Sequence, residues 1–306
     1  MTSLSSLPVE LIARIGDSTD PFSHLDLACT CHYVADALKD LFKRHRAAYS
    51  QAPCSDVQPL TIPRTLRRAV ADPFFAYHIR TLHIWCARSQ WADWRPVRLS
   101  APSDAPEDIF VRGANSVAWS FLPDEIDEYP ELLASYVSDF EHGSELREQA
   151  RKELSRGDDG LMKALLLILC PRLRTVYYAL SSYVEASQEQ DRDGGVGNSS
   201  LTWLARIIMA HRDQELGRWP PGLKTLRHLA IGVETGTELL GRHDRHYPPF
   251  FVTKILNLPN LESFYLRGMS TDRRYCEVHE AFPLTPGCSS LRHLYLADFW
   301  RIEPST

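Results

Sequence analysis

Cys29, Cys31 and His32 fall inside a four-residue window. Thiol and imidazole are the ligand types of a structural zinc site, which needs four of them. No second pair stands nearby, so the cysteines are read as buried structural thiols. His211-Arg212-Asp213 carries the letters of a kinase catalytic loop. Neither a glycine-rich phosphate loop nor a D-F-G triplet accompanies it, so it is read as coincidence. His243 and His246 flank Asp244, types that could hold a surface cation. The alternative, a solvated loop, is preferred. There is no G-x-S-x-G elbow, phosphate loop or dinucleotide fingerprint. The expectation is a protein with no catalytic residue, no metal and no cofactor.

Composition narrows the class. The chain has 306 residues, 44% of them hydrophobic, and a formal charge of −5. That is enough for one large domain or two smaller ones. A net acidic chain is poorly suited to neutralising phosphates, so nucleic acid is not an expected partner. The longest apolar run, residues 161–170, falls far short of the ~18 residues a membrane span needs, and no membrane contact is expected. The N-terminus carries no apolar signal region. Seven cysteines without framework spacing fit a reducing compartment, the cytoplasm or nucleus.

The first 48 residues should form three short helices. Pro8 suits a first helical position and Glu10 a first turn. Leu7, Leu11 and Ile15 share a face that Ile12 widens. Asp20-Pro21 reads as a second helix start, and Leu25, Ala28 and Cys29 as a small stripe. Val34, Ala37, Leu38, Leu41 and Phe42 follow the i, i+3, i+4, i+7, i+8 spacing of a third helix. The pattern LPxELxxxI at Leu7, Pro8, Glu10, Leu11 and Ile15, followed by HLDLACTCHYVADAL at 24–38, resembles an F-box. The resemblance covers the first 45 or so residues. It implies contact with a Skp-type adaptor, and through it a cullin, by Leu7, Pro8, Leu11, Ile12, Ile15, Leu25 and Leu27.

Residues 49–63 are rich in proline and polar residues and read as a linker. From 64 to 306, helical stretches alternate with short strand-like runs. Five runs share one phase: Ile79-x-x-Leu82-x-Ile84, Leu173-x-x-Val176-x-Tyr178, Leu226-x-x-Leu229-x-Ile231, Leu261-x-x-Phe264-x-Leu266 and Leu291-x-x-Leu294-x-Leu296. This is similar to a leucine-rich repeat with ragged period, an irregular parallel β/α solenoid. An ordinary α/β domain is the alternative, and both imply parallel strands joined by helices. An acidic helical insertion is expected at about 100–158. Residues 185–200 carry almost no apolar side chain and are expected to be disordered. A solenoid also needs a polar cap after its last strand, a role open to WRIEPST at 300–306.

Binding surface is the better candidate for function. Positions alternating with the buried ones should face the other side of the strands: His83, Trp85, Tyr177, His228, Ala230, Ser263, Tyr265, Arg267, His293 and Tyr295. Nearby loops add Arg245 and Arg273. Aromatic residues and arginine are the usual anchors of protein interfaces. Together, an F-box-like module and a repeat-like domain resemble the substrate receptor of a Skp–cullin–F-box ubiquitin ligase, most like the divergent fungal F-box proteins. The resemblance implies a protein substrate held on His83, Trp85, Tyr177, Tyr265, Arg267, Tyr295, Arg245 and Arg273. A non-catalytic scaffold that does not direct ubiquitination is the competing expectation.

Overall fold

Short amphipathic segments open the chain. In a computed structural model, which describes residues 4–50, 52, 54–99, 110–111, 113–137, 143–179, 199–212, 214–233, 249–270 and 289–300, they form four helices: α1 (Val9–Ser18), α2 (His24–Ala28), α3 (His32–Ala37) and α4 (Lys39–Ser50). The expected third helix is divided at Leu38, whose backbone (φ −94°, ψ 7°) leaves the helical region. No proline or glycine forces that break. Leu38 nevertheless stays buried with Ile12, Ala28, Val34 and Leu41 in one small core. Asp20 does not cap α2, because its carboxylate accepts the Phe22 N–H at 2.8 Å and closes a turn before it. Gly16 lets α1 approach α3, since a Cβ there would lie 2.5 Å from Leu38 Cδ2.

The stretch read as a linker contributes a strand and the start of a helix. Cys54–Ser55 forms β1, paired in parallel with β2 (Thr81–Ile84), and Thr61 already begins α5 (Thr61–Ala71). Asp72 then accepts the Phe74 N–H at 3.0 Å and, with Pro73, starts α6 (Pro73–Ala76). The expected insertion contributes α7 (Glu125–Tyr136) and α8 (Gly143–Arg156). Glu125 fastens α7 to α5: its carboxylate receives Arg67 Nε at 2.5 Å and Nη2 at 2.6 Å, with Tyr129 Oη at 2.9 Å. Next comes α9 (Gly160–Leu169), buried nearly all round, as an apolar sequence on every face requires.

The five marked runs become β2, β3 (Thr175–Ala179), β4 (His228–Val233), β5 (Ser263–Ser270) and β6 (His293–Trp300). With β1 they form one six-stranded parallel sheet in sequence order. Parallel neighbours need crossovers. These run through α5 and α6, then α7 to α9, then α10 (Ser199–His211) and α11 (Pro221–Thr225), then α12 (Pro249–Ile255). The spacing is reproduced in register: Leu82, Val176, Leu229, Phe264 and Leu294 form one row, and Ile84, Tyr178, Ile231, Leu266 and Leu296 the next. From β2 to β5 both rows are buried in the main core with α5, α9 and α10. At β6 Leu294 and Leu296 are exposed. Residues 185–198 and 301–306, read as disordered and as a cap, lie outside the described residues, while Ser199 and Ser200 begin α10. Among the described residues no helix is long and apolar enough to cross a membrane.

Candidate functional site

The four-helix module divides its apolar residues between a core and a surface. Ile12 is fully buried. It points at Val34, Leu38 and Leu41, so the expectation that it contacts an adaptor is corrected: the α1 core face runs through Ile12 and Gly16. Leu7 and Leu27 pack partly against that core, Ile15 is half-buried, and Pro8 is exposed. Leu11 is 44% and Leu25 63% exposed. Leu4, Val9, Phe22 and Tyr33 are exposed as well. The i, i+4 spacing of Leu7, Leu11 and Ile15 concealed them. Tyr33 is tied to the chain entrance, its hydroxyl donating to the Leu7 carbonyl at 3.0 Å.

The second surface is the side of the sheet opposite the core. Parallel register places Ser55, His83, Tyr177, Ala230, Tyr265 and Tyr295 in one row across all six strands. Two residues earlier, Thr81, Thr175, His228, Ser263 and His293 form a second row. The His83 and Tyr177 rings stack at 4.9 Å and 18°. His83, Tyr177, His228, His293 and Tyr295 are exposed, while Tyr265 and Arg267 are half-buried. Gly232 (φ +78°) lies against Arg267, where a Cβ would come 2.6 Å from the Arg267 carbonyl oxygen. Trp85 does not join the row. It lies beyond the end of β2, half-buried against the small cluster of Cys86, Val97 and Phe110. Arg245 and Arg273 lie outside the described residues.

A third group was not anticipated. Asp56, Arg88, Asp159 and Lys163 are all buried at the carboxyl ends of β1 and β2 and the start of α9. Lys163 Nζ lies 2.9 Å from Asp56 Oδ2 and 2.7 Å from Asp159 Oδ2, and donates to the Cys86 carbonyl at 2.7 Å. Arg88 reaches Asp159 at 3.4 Å and donates to the Asp56 carbonyl at 2.8 Å. Two carboxylates balance two cations. Burial opposes the Lys163 charge, yet the carboxylates of Asp159 and Asp56 outweigh it and raise its pKa. Burial pushes the Cys86 thiol well above the thiol range, Asp56 adding to the effect. A protonated thiol is a poor nucleophile, so this group ties strand-end loops to a helix. The signal was present: Lys163 interrupts LMKALLLILC, an otherwise apolar run.

The motifs that resembled catalytic or metal sites separate. Cys29 and Cys31 are exposed, which corrects their reading as buried thiols. They cap the two ends of a short turn between α2 and α3, and only Ala28 of the expected stripe is buried. His211 is buried, with Nδ1 2.9 Å from the Ile207 carbonyl and its ring against Trp219. Among the described residues no three His, Cys, Asp or Glu side chains converge on a metal position. His243, Asp244 and His246 lie outside the described residues.

No family model and no curated protein matches this chain.

A chain of histidines links the helical module to the segment that follows α6. His24 Nε2 lies 3.1 Å from the Thr19 carbonyl, His24 Nδ1 2.8 Å from His45 Nε2, and His45 Nδ1 2.8 Å from His78 Nε2. A carbonyl only accepts, so neutral His24 carries its proton on Nε2, and His45 and His78 must then do the same. His78 Nδ1, at the end, is buried and has no hydrogen-bond partner among the described residues. Around the array Phe22 meets Tyr77 edge-on at 4.7 Å, and the Phe74 ring lies 4.4 Å from that of His45. The module is thus seated on α6 rather than tethered.

Proposed function

We propose that this chain is the substrate-receptor subunit of a Skp–cullin–F-box type ubiquitin ligase. The helical module contacts a Skp-type adaptor, and an irregular leucine-rich-repeat-like solenoid holds a protein substrate on its open sheet face. The observation that carries this reading is the exposed apolar surface of α1 and α2. Val9, Leu11 and Leu25 face solvent while Ile12, Val34 and Leu38 already supply the core. Apolar side chains left exposed on a module whose core is already filled support a partner site there. The open face, with its in-register aromatic row, supports the second half of the reading. The receptor makes and breaks no bond; it raises the local concentration of substrate beside a ubiquitin-loaded partner. It acts in the cytoplasm or nucleus.

Co-purification with a Skp-type adaptor tests it. Leu11→Asp and Leu25→Asp each remove adaptor capture, with thermal unfolding unchanged because both positions are exposed. Capture that persists in both variants overturns the adaptor assignment. On the sheet, Tyr265→Ala and Arg267→Ala each weaken substrate capture by about 1–2 kcal/mol and leave adaptor capture intact.

A further inference from the structure

The residue after the first marked apolar position of each run is charged, arginine in four of the five: Arg80, Arg174, Arg227, Glu262 and Arg292 follow Ile79, Leu173, Leu226, Leu261 and Leu291. Their backbones form one continuous hydrogen-bonded line across five strands. Arg174 N–H donates to the Arg80 carbonyl at 2.9 Å, Arg227 to Arg174 at 2.9 Å, Glu262 to Arg227 at 2.8 Å and Arg292 to Glu262 at 2.9 Å. The buried Ile79, Leu173, Leu226 and Leu261 beneath fix where each one emerges. The line marks the end of the sheet where all the strands enter. It carries an excess of three positive charges on a chain whose total is −5.

Local partners absorb only part of that charge. Arg227 Nη1 pairs with Glu262 at 2.7 Å, and Arg80 lies over the Tyr49 ring at 5.2 Å. Arg174 and Arg292 are exposed and, among the described residues, form no ion pair. Parallel strands stand ~4.8 Å apart, so four steps spread the guanidinium groups over roughly 19 Å. One phosphate would need two or three arginines converging on a point. A line of separated cations instead suits carboxylates spaced along an extended chain, where alternate side chains recur about every 6.6 Å.

We propose that this arginine line docks an extended, carboxylate-rich peptide segment lying across the strand entrances. The proposal rests on the receptor reading only in calling that peptide part of the substrate.

Fluorescence anisotropy with the full chain tests it, using a labelled twelve-residue peptide of alternating Glu and Ser and its Gln–Ser counterpart. The Glu peptide binds, more weakly as salt rises, and the Gln peptide does not. Arg174→Glu with Arg292→Glu weakens binding about tenfold. Arg14→Glu with Lys152→Glu, an equal charge change at exposed positions elsewhere, leaves it within twofold. Equal loss in both double variants overturns the proposal, as does binding of a singly phosphorylated peptide in place of the Glu peptide. Adaptor capture by the same preparation keeps the two readings apart. Capture without Glu-peptide binding overturns the arginine line alone, and peptide binding through the line without capture supports it while the receptor reading falls.

Discussion

At the scale of single residues, Lys163 is the most constrained. Both carboxylates beside it are buried, so Lys163→Met leaves one of them without a counter-charge. Losing one partner of a buried pair costs about 3–5 kcal/mol, read as a lower midpoint in urea unfolding. Adding Asp159→Asn restores the charge balance with Asp56 and Arg88 and recovers part of the loss. An equal or larger deficit in the double variant would show that shape, not charge, sets the cost. Cysteines separate in the same way. Cys29 and Cys31 are exposed, whereas Cys54, Cys86 and Cys170 are buried, burial pushing the Cys54 thiol up to about 12. Under native conditions an alkylating reagent modifies the first two rapidly and the other three only on unfolding, which mass mapping reads directly.

At the scale of elements, the joint between the helical module and the sheet domain depends on a hydrogen-bonded chain of three imidazoles. The two shared contacts and the Thr19 carbonyl hold three protons. A fourth must reside on His78 Nδ1, a buried atom without an acceptor among the described residues, or place two protons in one contact. Burial, His78, His24, Arg44 and Arg172 lower the His45 pKa to about 4, and burial, Arg80 and Arg172 lower that of His78 against an opposing Asp72. An unfolded imidazole takes up a proton near ~6.5. The joint is therefore at full strength above that value and loses stability as pH falls from about 6.5 toward 4. Allowing for partial solvent screening, an effect of about 1 kcal/mol lowers Tm by about 2–4 °C between pH 7 and pH 5. His45→Gln flattens that dependence. A wild-type profile as flat as the variant's would remove the histidines from the account.

At the scale of the molecule, the sheet was legible and its first strand was not. The L-x-x-L-x-L phase follows from a period of two with one covered face, so the mutual register of β2 to β6 and the inward positions of β2 to β5 could be read, though not the strand ends. Cys54–Ser55 is too short to show a period and sits among prolines and polar residues. Its Asp56, which looks like a loop acid, is polar because the ionic group needs it. The same limit applies to the candidate sites. Periodicity marked the faces of α1 but could not say which became core, and the neighbour that decides for Ile12, Leu38, lies 26 positions away. The histidine joint links positions 24, 45 and 78, a proximity that local pattern cannot express.

The register of the open face has an evolutionary consequence. Each strand from β2 to β6 contributes one outward residue to each row, and none of the row's exposed side chains is needed by the core. Tyr177 and Tyr265 are two strands apart, roughly 10 Å, far enough for substitutions to add independently. Tyr177→Ala and Tyr265→Ala together should change unfolding free energy by the sum of the single effects within about 0.5 kcal/mol. A surface built this way can be rewritten one letter at a time, drifting toward new partners while the alphabet beneath it, Leu82, Val176, Leu229 and Phe264, stays fixed.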